Sequence, residues 1–239
     1  MIVIILAAGK GTRMKSKIPK VLHILHGKPL LKHVVDLAYK LKPEKIFVVV
    51  GFQRNEVKKI FFSENVEFID QKEQLGTGHA VLQVKPFLKN FQGEILVLSG
   101  DVPCLKESTV NEMVKNHRSN NAAVTILTAE KDNPRGYGRV VRYSNNAIEK
   151  IVEEKDCSDN EKTIKEINAG IYCFSKNILL ESLEEIDQNN VQHEYYLTDI
   201  VKIAFYKSLS VTAVEVSNPN EVSGINTIED LDKAESYLN

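Results

Sequence analysis

The chain has no tryptophan and only three cysteines in 239 residues. Cys104, Cys157 and Cys173 form no C-x-x-C pair, and an odd, sparse set excludes a disulfide framework. Reduced thiols in a cytoplasmic protein are the expectation. An excess of one charge is also missing: 31 Lys and Arg stand against 32 Asp and Glu, for a formal net charge of -1. Nothing global therefore draws the chain to nucleic acid or to an anionic membrane. A phosphate-rich ligand has to be met by a local cluster of cations. No apolar run is long enough to span a bilayer, and the stretch 1–8 meets glycine before it could. It also lacks the basic region of a signal peptide. What is present, 43% hydrophobic and 26% charged residues, is the balance of a globular protein. The length suits one domain, 1–239, and leaves a homo-oligomer open.

Ile2-Val3-Ile4-Ile5-Leu6 is a continuous β-branched run, the pattern of a strand covered on both faces. Pro29 precedes apolar residues at helical spacing, predicting a helix over 30–41 that Pro43 ends. Strands follow at 45–50, 66–69 and 94–98, with helices at 56–62, 77–84 and 107–117, then a strand at 122–128. This alternation predicts an α/β fold, a mixed but mainly parallel sheet flanked by helices. The rhythm changes after Ala129. Strands are expected at 138–143, 147–152 and 167–174, interrupted by an exposed polar loop at 157–165. Helices at 176–186 and 197–205, a strand at 210–216 and a helix from Thr227 to 238 complete the expectation. Thr227 with Asp230 three residues on suits an N-cap. Two halves are expected: a nucleotide-sized lobe, 1–130, and a smaller, more antiparallel lobe, 131–226, before the terminal helix 227–239.

Ligands of open α/β sheets bind beyond the carboxyl ends of strands. Ala7-Ala8-Gly9-Lys10-Gly11-Thr12-Arg13 is such a place, because small residues let backbone N–H groups approach phosphate. Lys10, Arg13, Lys15, Lys17 and Lys20 add five cations with no acid among them. A dinucleotide fingerprint needs Gly or Ala where Met14 stands, and the P-loop pattern does not fit. From composition alone, a solvated structural turn remains open.

Leu6-Ala7-Ala8-Gly9-Lys10-Gly11-Thr12-Arg13-Met14, followed by Pro19-Lys20-Val21-Leu22, resembles the signature of sugar nucleotidyltransferases. The wider match, from the first strand to Asn226, is similar to the uridyltransferase half of bacterial bifunctional N-acetylglucosamine-1-phosphate uridyltransferases. The resemblance implies a Rossmann-like nucleotidyltransferase fold with an antiparallel sugar-binding lobe. It implies that Leu6, Ala7, Ala8, Gly9, Gly11 and Thr12 bind the nucleotide, and that Arg13 and Lys20 act on its triphosphate. Gln71, Gly76 and Thr77, in Gln71-Lys72-Glu73-Gln74-Leu75-Gly76-Thr77-Gly78-His79-Ala80, resemble the uracil-reading segment. A side-chain amide can pair with a donor and an acceptor on a base edge. Gly100, Gly138, Glu153, Asn168 and Thr198 resemble the sugar-phosphate pocket. Asp101 and Asn226 match the family's Mg2+ ligands, and a carboxylate plus an amide suits an ion that keeps phosphates and waters. Taken singly, Asp101 reads as an N-cap, Asn226 as a turn residue and His79 as a packed or capping histidine.

The implied reaction is UTP plus N-acetylglucosamine 1-phosphate giving UDP-N-acetylglucosamine and pyrophosphate, in line and with no covalent intermediate. Two alternatives stay open. One is another sugar 1-phosphate, such as glucose 1-phosphate with UTP or dTTP. The other is a non-catalytic nucleotide-sugar sensor. Ser99, Ala169 and the pair Thr227-Ile228 stand where relatives carry Tyr, Thr and Asn-Arg, which touches sugar specificity and the metal region. No hexapeptide repeat is present, so acetyl transfer is not expected.

Overall fold

A computed structural model describes residues 1–237. The chain runs β1 (Ile2–Ala7), β2 (Ile24–Leu25), β3 (Lys28–Pro29), α1 (Leu30–Lys40), β4 (Lys45–Val50), α2 (Arg54–Ile60), β5 (Glu67–Asp70), α3 (Thr77–Leu82) and β6 (Glu94–Ser99). It continues through α4 (Glu107–Ser119), β7 (Val124–Glu130), β8 (Arg139–Arg142), β9 (Ile148–Val152), α5 (Asp159–Lys162) and β10 (Glu166–Ser175). Last come α6 (Lys176–Ser182), α7 (Asp199–Tyr206), β11 (Val211–Glu215) and α8 (Ile228–Glu235).

β1 is central because both its faces are apolar. Val3 and Ile5 face a layer with α1 and α4, including Val34, Val110 and Met113. Ile2 and Ile4 face the other layer, with Val81 of α3, Leu179 of α6 and Ile200 of α7. Each such side chain taken out of water contributes about 1.5–3 kcal/mol. The sheet order is β11-β7-β10-β6-β1-β4-β5, with the β8–β9 hairpin attached to β10. β1, β4, β5 and β6 are parallel, and β11 runs parallel to β7. β10 is reversed against both β6 and β7. The expected mixed, mainly parallel sheet is therefore present, and its antiparallel portion is β10 with the β8–β9 hairpin.

The reversal positions the site. Parallel strands point their C-terminal ends at one rim; β10 brings its N-terminal end there. Its pairing with β7 slips between Asn168 and Tyr172, where Gly170 has φ 72°. Such a bulge re-aims side chains beside a ligand site.

Some expectations need correcting. Residues 157–165 are not simply an exposed loop. Cys157 is buried, and α5 starts on a capping box in which Ser158 and Glu161 exchange bonds. A four-residue helix has no apolar stripe to betray it. The β2–β3 hairpin is not expected from the sequence; it closes on His26-Gly27, both with positive φ, as a two-residue type I′ turn requires. α6 stops four residues before 186. The Thr227–Asp230 capping box is present; residue 238 of that expected helix lies outside the described residues.

Candidate active site

At the rim lies a cleft of about 600 Å³. One wall comes from the end of β1: Leu6, Ala7, Ala8, Gly9 and Lys10, with Arg13 and Lys20 beyond. Gly11 is left-handed at φ 60°, and a Cβ there would lie 2.6 Å from Lys20 Cβ. Glycine is thus what lets the loop fold back so that Lys20 turns inward. A 3-10 turn, Thr12–Met14, buries Met14 and leaves Arg13 on the cleft side. Lys15 and Lys17 stay exposed and do not line the cleft. The five-cation cluster therefore contributes three members.

Arg13 and Lys20 meet residues distant in sequence, Asp101 and Asn226. Arg13 Nη2 donates to Asn226 Oδ1 at 2.8 Å. Lys20 Nζ donates to the same oxygen at 3.0 Å and pairs with the Asp101 carboxylate. Asp101 follows β6, and Ile225 N donates to its carbonyl at 2.9 Å, which stitches 224–226 to the strand end. Thr227 N and Asn226 N both donate to Asp230 Oδ2, so the α8 cap also fixes Asn226.

Asp101 Oδ2 and Asn226 Oδ1 thus face one ammonium. One carboxylate and one amide oxygen, already converging on a cation, fit Mg2+, which takes one or two protein oxygens and completes its octahedron with phosphates and water. No cluster of three or more His, Cys, Asp or Glu occurs among the described residues. These two oxygens are the residues that could hold the ion.

A second wall comes from β5 and α3. Gln71 follows β5 and is 3% exposed; its N–H donates to Val50 O at 2.8 Å. Gln71, Gln74, Gly76 and Thr77 line the cleft. Gly76 has φ 111°, and a Cβ would collide with the Tyr195 backbone at 2.5 Å. Thr77 Oγ1 accepts from Leu197 N at 3.0 Å.

The third wall is the antiparallel portion. Gly138, Glu153 and Asn168 line the cleft together, because Arg139 pairs with both Val152 and Ile167. Asn168 Nδ2 donates to Tyr172 Oη at 2.6 Å, and Gly170 N donates to Asn168 Oδ1 at 3.2 Å. Ser99 Oγ donates to Gly170 O at 3.0 Å, so this short side chain secures the bulge from β6. Burial pushes the Glu153 carboxyl above the usual carboxylate range, and the Thr198 hydroxyl, donating to Oε1 at 3.1 Å, works against that shift.

Four sequence-predicted residues do not line the cleft: Gly11, Thr12, Gly100 and Thr198. Gly11 makes room for Lys20. Gly100 N donates to Leu6 O at 2.9 Å, locking β6 beside β1. Thr198 stands behind Glu153. Thr12 is exposed on the turn. The cleft also has lining residues outside the predicted set, including Tyr137, Tyr172 and Glu194. Tyr172 sits four residues after Asn168, a same-face spacing that could have flagged it.

The profile of the family described as nucleotidyl transferase matches residues 2–218. The bifunctional protein GlmU of Gloeothece citriformis (strain PCC 7424) is 47% identical over 237 residues, 99% of this chain and 52% of the relative. The bifunctional protein GlmU of Bacillus velezensis is 44% identical over 235 residues, 98% of this chain and 51% of the relative. The chain spans about half the length of these curated relatives. Among solved structures, UDP-glucose pyrophosphorylase complexed with UDP-glucose has a TM-score of 0.78 at 19% identity, covering 99% of this chain and 97% of that one. Apo UDP-glucose pyrophosphorylase has a TM-score of 0.76 at 18% identity, covering 99% and 97%. Both show the same fold.

Proposed function

We propose that this chain, which belongs to the nucleotidyl transferase family, transfers a uridylyl group from UTP to N-acetylglucosamine 1-phosphate, releasing pyrophosphate. The observation that carries the reading is the cluster of Arg13, Lys20, Asp101 and Asn226 at the centre of one cleft. The Gln71 wall lies on one side of it and the Glu153–Asn168 wall on the other. In this reading residues 1–130 carry the nucleotide, residues 131–226 carry the sugar phosphate, and the cations lie where the two ligands' phosphates meet.

The attacking group is a phosphate oxygen of the sugar phosphate. It forms a bond to the α-phosphorus as the bond from that phosphorus to the bridging β-phosphate oxygen breaks, and pyrophosphate leaves with the electron pair. A phosphate monoester is ionised at neutral pH, its second pKa being about 6, so the nucleophile needs no general base. Catalysis then rests on holding two anions in line and stabilising charge that develops on the leaving group. Arg13 meets that charge, and Lys20 neutralises the phosphates. Asp101 and Asn226 would hold Mg2+, which supplies charge neutralisation between the two phosphate groups when bound. Gln71 with Gly76 reads the base. Glu153 and Asn168 accept and donate hydrogen bonds to the sugar hydroxyls and the acetamido group. The three buried thiols suit a reducing cytoplasm.

Pyrophosphate release tests the reading. With Mg2+, each nucleoside triphosphate is paired with N-acetylglucosamine, glucosamine or glucose 1-phosphate. UTP with the N-acetylated sugar is expected to turn over fastest. Release from no pair at all would sink the enzymatic reading, and a faster pair would reassign the substrates.

A further inference from the structure

Each nitrogen of the His79 imidazole faces the side-chain amide nitrogen of a glutamine. Nδ1 lies 3.1 Å from Gln71 Nε2, and Nε2 lies 3.1 Å from Gln83 Nε2. A second bond anchors each amide. Gln71 Nε2 donates to Gly76 O at 3.0 Å, and Gln83 Nε2 donates to His79 O at 3.0 Å. Both of those oxygens are backbone carbonyls and can only accept. A neutral imidazole has one proton and one lone pair, so it accepts from one amide and not from both. One glutamine has to turn its own oxygen to the ring and release its carbonyl.

Burial decides which one turns. Gln71 is 3% exposed. Turning it would set Oε1 against Gly76 O, two acceptors in a place with little water to relieve them. Gln83 is half-buried, just past the end of α3. There water can replace its bond to the His79 carbonyl. His79 is therefore protonated on Nε2, donates toward Gln83 and accepts at Nδ1 from Gln71. Tyr195 is stacked on the imidazole with ring centroids 6.3 Å apart and constrains the plane of the ring.

Both hydrogens of the Gln71 amide are then engaged, one by Gly76 O and one by His79. What remains for the cleft is Oε1, which has no partner among the described residues. An oxygen acceptor answers a ring N–H, such as N3 of uracil, and opposes the bare lone pair at N3 of cytosine. We propose that His79 is a positioning residue for base specificity: as the Nε2–H tautomer it fixes the Gln71 amide with its oxygen toward the base and so favours UTP over CTP. The inference rests on the uridylyl reading above. His79 itself does not line the cleft.

The experiment compares kcat/KM for UTP and CTP in the wild type, His79→Leu, Gln83→Lys and Gln83→Met, with the imidazole 15N spectrum of the wild type. Losing the lock should lower the UTP/CTP ratio about tenfold in His79→Leu, through KM for UTP, with kcat at saturating UTP within about twofold. Gln83→Lys offers only donors, draws the lone pair to Nε2 and should shift the ratio the same way. Gln83→Met should leave it unchanged. The His79 signal should be that of the Nε2–H form. An unchanged ratio in both His79→Leu and Gln83→Lys, or an Nδ1–H signal, overturns the proposal. If His79→Leu does not fold, Gln83→Lys, outside the core, decides. A wild type with no preference for UTP over CTP overturns the uridylyl reading and this inference together. A preference that survives both substitutions overturns this inference alone.

Discussion

Asp199 opens α7 directly after Thr198, and burial pushes its carboxyl from 3.8 up to about 6. Asp187 and Asp156 push the same way, and Lys202 pushes back. A shift of that size corresponds to about 3 kcal/mol of ionisation free energy. The carboxyl is only partly out of water, and screening trims the cost to about 1–2 kcal/mol. A carboxylate in the first turn of a helix regains about 0.3–1 kcal/mol. Desolvation still wins, leaving a net cost of about 1 kcal/mol for the ionised form. The sign follows from proton counts. Between about pH 4 and 6 the unfolded chain has released this proton and the folded chain has kept it, so stability falls as pH rises through that window. Asp199→Asn keeps the shape and removes the charge. Urea unfolding of both proteins should give equal midpoints below about pH 4 and a variant more stable by about 1 kcal/mol above about pH 6.5. Subtracting the two curves cancels every other titrating group. A difference that does not vary with pH, or one that favours the wild type at neutral pH, would refute the assignment of a desolvated carboxyl.

Arg13→Ala should lower kcat by about 10²–10³ and change nucleotide affinity much less, because in the proposed reaction its charge meets the leaving group as it forms; unchanged kcat in pyrophosphate release would remove Arg13 from that role. Asp101→Asn leaves a single uncharged amide set facing the cation, so the Mg2+ concentration for half-maximal rate should rise by at least about tenfold, read from a metal titration. Gly11→Ala combines a positive φ with a Cβ that would meet Lys20 at 2.6 Å. Thermal unfolding should show a loss of about 1–3 kcal/mol, with reduced turnover as Lys20 moves off Asp101. Gly9→Ala, where a Cβ meets nothing within 4 Å, should unfold close to the wild type, within about 1 kcal/mol.

Strands buried on both faces are easily read, which is why β1, β4 and β6 sit within a residue of where their apolar runs predict them. The same property hides a strand's place in the sheet. The change of rhythm after Ala129 predicts a more antiparallel second lobe, but nothing in the run Ile167 to Phe174 says that this strand inserts between β6 and β7. Local polar signals behaved differently. The Thr227–Asp230 cap was legible because donor and acceptor lie three residues apart. The Ser158–Glu161 box has the same spacing, but no hydrophobic period accompanies it, so the stretch 157–165 reads as a loop. Thr198 shows the limit of motif reading: its segment resembles a pocket, yet its hydroxyl supports Glu153 from behind. The His79–Gln83 pair lies at helical spacing, whereas Gln71 joins it only through the tertiary placement of β5 against α3.

The topology gives the cleft two facing walls, as the proposed reaction between two anionic ligands requires. If every strand ran parallel, only βα loops would reach the rim, and each would arrive with a helix behind it. β10 is entered from β9 through residues 153–165, which hold only the four-residue α5, so its start, the start of β8 and the end of β9 come together at the rim. That leaves Gly138, Glu153 and Asn168 free to form a wall opposite the glycine loop. The strand end between the two walls is that of β6, which pairs with β1 on one side and β10 on the other. Asp101, carried at that end, is therefore the acidic residue the sheet itself places between the halves. In the proposed reaction a ligand on either wall would bring its phosphate to that seam, where Lys20 and Asn226 already meet.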